Sequence, residues 1–123
     1  MTLRESTREA RGGRRPPSPR RPIDIEHLRT QTMGDLELQR KVLRLFLYQV
    51  SETIPRIRDA ETVAARSEAA HALVGAARGI GAFSIAYIAG EIELARGPVA
   101  GRLIALERAA EQARFVITDL LTE

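Results

Sequence analysis

From Asp24 onward, apolar residues recur at helical spacing over four long segments, and no strand-like alternation of apolar and polar positions persists. A short helix over Asp24 to Thr32, with Asp24 as its cap, comes first. Gly34-Asp35 then opens a long helix in which Leu36, Leu43, Phe46, Val50, Ile54 and Ile57 step by sevens, threes and fours onto one stripe. Pro55 removes a backbone donor inside that pattern and predicts a kink or an early turn. Asp59 or Thr62 caps the next helix, which runs through His71 to about Arg78 and is ended by the permissive Gly79-Ile80-Gly81 stretch. Ile85, Ile88, Ile92 and Ala95 mark the buried side of a further segment that stops at Gly97-Pro98. In the last helix Leu103, Leu106, Ala110, Ala113, Ile117 and Leu120 alternate steps of three and four. The predicted fold is all-α: an antiparallel four-helix bundle, its helices about 15 to 25 residues long, with a short additional N-terminal helix.

Composition divides the chain in two. The first 22 residues carry seven arginines against Glu5 and Glu9, four of the six prolines, and only Met1 and Leu3 as large apolar side chains. That composition cannot build a core, so residues 1–22 read as a disordered basic arm and 23–123 as the bundle domain. The formal +3 of the whole chain therefore misleads, because the domain alone is mildly acidic, with 12 basic against 14 acidic residues. This argues against a folded nucleic-acid reader, although the arm alone could touch an acidic partner or an anionic surface. With no cysteine, thiol chemistry and disulfides are excluded, and a reducing cytoplasm fits best. No apolar run reaches the roughly 18 to 20 residues of a membrane span, and the N-terminal arginines lack an apolar stretch behind them, so neither insertion nor export is expected.

Candidate chemistry concentrates on the helix around residues 70–82, Ala-His-Ala-Leu-Val-Gly-Ala-Ala-Arg-Gly-Ile-Gly-Ala. At about 100° per residue, Leu73, Ile80, Ala69 and Ala76 gather opposite His71, while Ala64, Ser67, Glu68, Val74, Gly75 and Arg78 gather around it. The imidazole is thus expected to project outward from a rigid element. Gly75 destabilises a helix interior by about 1 kcal/mol relative to Ala, yet it lies one turn beyond His71 on the same side. A bare backbone patch beside a nucleophilic nitrogen suits a docking partner whose reactive group must come close, and small Ala64 and Ser67 keep the other side open. His27 has no such neighbourhood and reads as incidental.

These residues resemble the histidine-containing phosphotransfer (HPt) family, whose pattern is His-x-Leu-Lys-Gly, then a glycine-alanine pair and a helix ending in Leu-Glu. His71, Leu73, Gly75, Gly81-Ala82, Ile85, Ile88, Ile92 and Glu93 fall in register without a gap, and Leu45-Phe46 through Ile57 resembles the family's preceding helix. The resemblance implies a phosphocarrier rather than a self-sufficient enzyme: Nε2 of His71 takes a phosphoryl group from the aspartyl phosphate of a response-regulator receiver domain and passes it on. It implies no cofactor or metal of the chain's own, the Mg²⁺ and the active-site lysine being the receiver's. Receiver domains, and a hybrid histidine kinase as a further candidate, are the implied partners of a freestanding monomer.

Val74 departs from the pattern, because the family usually places there a lysine that helps hold the phosphoryl group. Arg78, about 20° off the same direction and about 10.5 Å along the axis, is a candidate substitute, though an arginine near a helix C-terminus is favoured in any case. Glu68, one turn before His71, is a candidate to orient the ring through Nδ1; a solvated carboxylate is the alternative. Docking contributions are expected from exposed apolar residues of the preceding helix, Leu38, Val42, Leu45 and Tyr48, with core packing as the competing account. Two other readings compete with the carrier. Glu68-Ala-Ala-His71 is the Glu-x-x-His unit of di-iron bundles, but those sites need a second such unit and two more glutamates facing inward. The loss of lysine at Val74 also admits a non-catalytic adaptor that binds a receiver or kinase domain without phosphotransfer.

Overall fold

A computed structural model describes residues 21–122, so the arm over residues 1–22 lies almost wholly outside the described residues. Five helices follow in order: α1 Ile25–Gln31, α2 Leu36–Arg58, α3 Val63–Ile80, α4 Phe83–Leu94 and α5 Ala100–Leu121, with no strand among the described residues. Each of the first three starts where a short polar side chain meets the orphan amides of a first turn. Asp24 accepts from the amide of His27 at 3.1 Å, Asp35 from those of Glu37 and Leu38, and Thr62 from that of Ala65 at 3.0 Å. Of the two candidate caps for α3, Thr62 is the one used.

Successive long helices pack against one another, and α5 closes the ring against α2, giving a four-helix bundle with α1 laid on α3. The core is a continuous cluster in which Phe46, Leu73, Ile85, Ile92, Leu106 and Ile117 are almost completely buried. Each such side chain is worth several kcal/mol, since truncating a buried Leu or Ile to Ala costs about 2 to 5 kcal/mol. No helix among the described residues is long and apolar enough to cross a membrane.

The position of α3 is set at its C-terminal end. Gly81 adopts φ +83°, a left-handed conformation, and a Cβ there would come within 2.9 Å of the carbonyl oxygen of Asp24, so both the backbone angle and the space demand glycine. The close approach lets the Asp24 amide donate to the Gly81 carbonyl at 2.9 Å.

Three expectations need correction. Pro55 does not end α2 early; the helix continues to Arg58, because the proline falls in the final turn and the carbonyl it leaves free belongs to exposed Ser51. Leu36 is exposed rather than on the buried stripe, because it occupies the opening turn beside the Asp35 cap and the first fully buried side chain of α2 is Leu43. α4 has 12 residues, shorter than expected, since the chain leaves helical geometry at Ala95 before it reaches Gly97-Pro98.

Candidate functional site

His71 stands on the outer wall of α3 with its side chain 75% exposed, and Ala64, Glu68, Gly75 and Arg78 are exposed on the same arc. A Cβ added at Gly75 would meet nothing within 4 Å, so the surface one turn beyond the ring is open. Val74 is not part of that arc: it is only 7% exposed and belongs to the core. The buried side of α3 comprises Ala69, Ala70, Leu73, Val74, Ala77 and Ile80, an arc turned toward the Val74 side because α4 packs closely along that flank. His71 is therefore at the border between solvent and the α3/α4 seam.

That position brings the imidazole to α4. Nδ1 of His71 lies 2.8 Å from Oε2 of Glu93, whose side chain is 27% exposed. An ionised carboxylate can only accept, so Nδ1 carries the proton and donates, and a neutral ring keeps its lone pair on Nε2. Glu68 does not have this role. It is exposed beside a shallow crevice lined by Pro55, Arg56, Asp59, Ala60 and Ala65, pointing toward α2 rather than across the seam. Glu93 was in view as a residue of the motif, but its contact joins positions 22 apart on different helices, which periodicity within one helix cannot show.

Ser67 does more than leave room. It is half-buried, and its hydroxyl donates to the carbonyl oxygen of Glu93 at 2.9 Å. The Arg78 side chain forms no ion pair among the described residues and extends into solvent, while its carbonyl accepts from Nε2 of His27 at 3.0 Å. His27 is thus not incidental: it satisfies one of the last carbonyls of α3 and packs edge-on against Phe83, with ring centroids 5.1 Å apart.

On α2, Leu45 is 54% and Tyr48 62% exposed, whereas Leu38 is half-buried and Val42 packs against the core. Leu38, Val42 and Leu45 lie on the flank that, further along the helix, borders α3 through Arg56, so they adjoin the His71 side; Tyr48 turns about 60° farther from it. The structure adds a second apolar flank unforeseen in the sequence. Tyr87 and Leu94 are exposed on the solvent side of α4, beyond Glu93. Their signal was present, since both fall off the Ile85-Ile92 stripe of that helix.

Among the described residues no group of three or more His, Cys, Asp or Glu side chains could hold a metal ion. Comparison with curated proteins and with solved structures returned no match. The sequence does match the Hpt domain family over residues 41–122, a span that takes in α3 with His71, α4 with Glu93 and α5, each whole, and most of α2. With two thirds of its length in that match, and a helical bundle presenting a carboxylate-held histidine at the family's motif, the chain belongs to the Hpt domain family.

Proposed function

We propose that the protein is a phosphocarrier of a phosphorelay, in which Nε2 of His71 accepts a phosphoryl group from the aspartyl phosphate of a receiver domain and later yields it to another. One observation carries this reading: Nδ1 is engaged by Glu93, so the nitrogen left bare is the one that faces water above the open Gly75 patch. In the forward step the Nε2 lone pair forms a bond to phosphorus as the bond from phosphorus to the aspartyl oxygen breaks, returning the carboxylate to the receiver. The ring takes on imidazolium character, and the Glu93 carboxylate beside the Nδ1 proton offsets that charge. The Mg²⁺ that neutralises the phosphoryl oxygens is the receiver's. Arg78 is the candidate cation on this chain, because its exposed side chain is free to swing back along the His71 arc.

The docking face in this reading combines the Gly75 patch with Leu38, Val42 and Leu45 on one side and Leu94 and Tyr87 on the other, with Ala64 and Ser67 at the near end and Tyr48 at the margin. A receiver's apolar helix fits such a surface. The test is to incubate the protein with a receiver phosphorylated on its aspartate. The carrier acquires label that is lost in acid and kept in base, as a phosphoramidate requires; absence of such label with every receiver of the source organism overturns the reading.

The burial of Val74 favours a second reading, because no cation occupies the place where the family usually has one. A bundle of this kind acts as an adaptor that binds a receiver through the same face without chemistry. The two separate on His71→Gln: an adaptor shows no uptake before or after the change and binds equally well, whereas a carrier loses its uptake.

A further inference from the structure

The carboxylate that orients His71 is located where a helix is least secure. Glu93 precedes only Leu94 in α4, and the last carbonyls of any helix lack partners within it. α4 also ends without a left-handed cap, as Ala95 has φ −75° and ψ 142° and its amide reaches back only to Ile92. An end of this type frays unless something outside the helix holds it.

α3 supplies that hold from two consecutive residues. The Ser67 hydroxyl donates to the Glu93 carbonyl at 2.9 Å, and Nη2 of Arg66 donates to the carbonyls of Ala95 and Gly97 at 3.1 and 3.0 Å. Ser67 is one turn before His71 on the same helix. One stretch of α3 therefore grips Glu93 by its backbone, through Ser67, and meets its carboxylate, through His71. Arg66 ties down the chain just past the helix end through its two Nη2 bonds, which offset the loss of solvation at its Nε, buried without a partner.

We propose that Ser67 and Arg66 are positioning residues of the His71 site: by satisfying the carbonyls at the end of α4 they hold the Glu93 carboxylate on Nδ1 and so keep the reactive lone pair on Nε2. The proposal rests on the phosphocarrier reading for its purpose, but its physical content concerns the ring's tautomer and is measured without any receiver. The experiment is long-range proton–nitrogen NMR on the ¹⁵N-labelled full chain, in mildly alkaline buffer that keeps imidazole neutral. In the wild type the Nδ1–H form of His71 dominates. Ser67→Ala lowers the ratio of Nδ1–H to Nε2–H by about threefold or more, the scale of one lost hydrogen bond, and Ser67→Thr, which keeps the hydroxyl, restores it.

Alanine is a strong helix former, so the fold is expected to survive; if the Ser67→Ala chain does not fold, Arg66→Lys, which removes the fork but keeps the charge, reads the same ratio. A ratio unchanged in the folded variants overturns the proposal. With a phosphorylated receiver, Ser67→Ala lowers kcat, and Ser67→Thr, which keeps the hydroxyl, restores it. A chain that takes no phosphoryl group and yet shows the Ser67 effect would refute the relay while leaving the positioning role intact.

Discussion

The chain has two histidines, both on or beside α3, both hydrogen-bonded, and they are put to opposite uses. His27 spends Nε2 on the carbonyl of Arg78, lays its ring edge-on against Phe83, and so fastens α1 to the C-terminal end of α3. His71 spends Nδ1 on the carboxylate of Glu93 and leaves Nε2 in water beside a glycine. In the phosphocarrier reading, what separates a structural imidazole from a nucleophilic one is which nitrogen is occupied and by what. A backbone carbonyl is a fixed neutral acceptor, suited to closing a helix end. A carboxylate carries a charge that favours the imidazolium character of a ring attacking through its other nitrogen.

The largest effect separates the two rings outright. His71→Gln is expected to remove phosphoryl uptake to background while leaving unfolding free energy within about 0.5 kcal/mol, as for most exposed positions. His27→Leu is expected to leave uptake in place and to lower stability by about 0.5 to 1.5 kcal/mol, the scale of one lost hydrogen bond, since the Arg78 carbonyl still accepts from the Gly81 amide at 3.3 Å. Label transfer from a phosphorylated receiver and urea unfolding of both variants check the pair. Uptake lost in the His27 variant and kept in the His71 variant would invert the comparison.

Next in size is the partner of Nδ1. Glu93→Ala leaves the ring free to take either tautomer and removes the charge beside it. Hydrogen bonds to charged groups contribute about 1.5 to 3 kcal/mol, so the transfer rate is expected to fall by about tenfold or more, with folding little affected at this partly exposed position. Single-turnover transfer at saturating receiver measures it, and an unchanged rate would mean that the ring needs no orientation from α4.

How much of this was legible in the sequence depended on how local each feature is. The Asp24 cap, the opening of α2 at Gly34-Asp35, the stop of α3 in the Gly79-Ile80-Gly81 stretch and the core stripe of α5 are read within a few residues of chain and stand as expected, while of Asp59 and Thr62 it is Thr62 that caps α3. The outward direction of His71 was also readable, because it follows from the angular distance to Leu73 and Ile80 on one helix. The side of α3 that α4 covers was not. Which flank is buried depends on the turn at Gly81-Ala82 and on the packing of α4, and this one unknown misplaced Val74 and assigned to Glu68 the contact that Glu93 makes. The capping role of His27 was hidden for the same reason, since its acceptor is 51 residues away.

Gly75 sharpens the contrast between stability and use. Its surroundings are open, so Gly75→Ala is expected to stabilise the bundle by about 0.5 to 1 kcal/mol through helix propensity, measured by thermal or urea unfolding. Gly75→Leu is expected to fold equally well and to raise KM for the phosphorylated receiver several-fold, because its side chain fills the space a partner must enter. A stabilised variant that docks less well would show that the glycine is kept for approach. If Gly75→Leu transfers normally, the landing zone lies elsewhere on the α3 arc.

The smallest effect expected is at Arg78, where the two histidines meet, since its carbonyl serves His27 and its side chain shares the arc of His71. The guanidinium stands two turns from the ring and must bend back to reach a phosphoryl oxygen, so its pull is that of a solvated charge and not of a fixed partner. Arg78→Ala keeps the backbone carbonyl, so stability should change by less than about 0.5 kcal/mol. The lifetime of the phosphohistidine is expected to shorten by about two- to threefold at low salt, a difference that shrinks as ionic strength rises. The salt dependence makes the test specific: a loss that persisted at high salt would indicate direct coordination, and no loss at any salt would leave the phosphoryl group with no cation from this chain, so that the receiver's lysine and Mg²⁺ do that work alone.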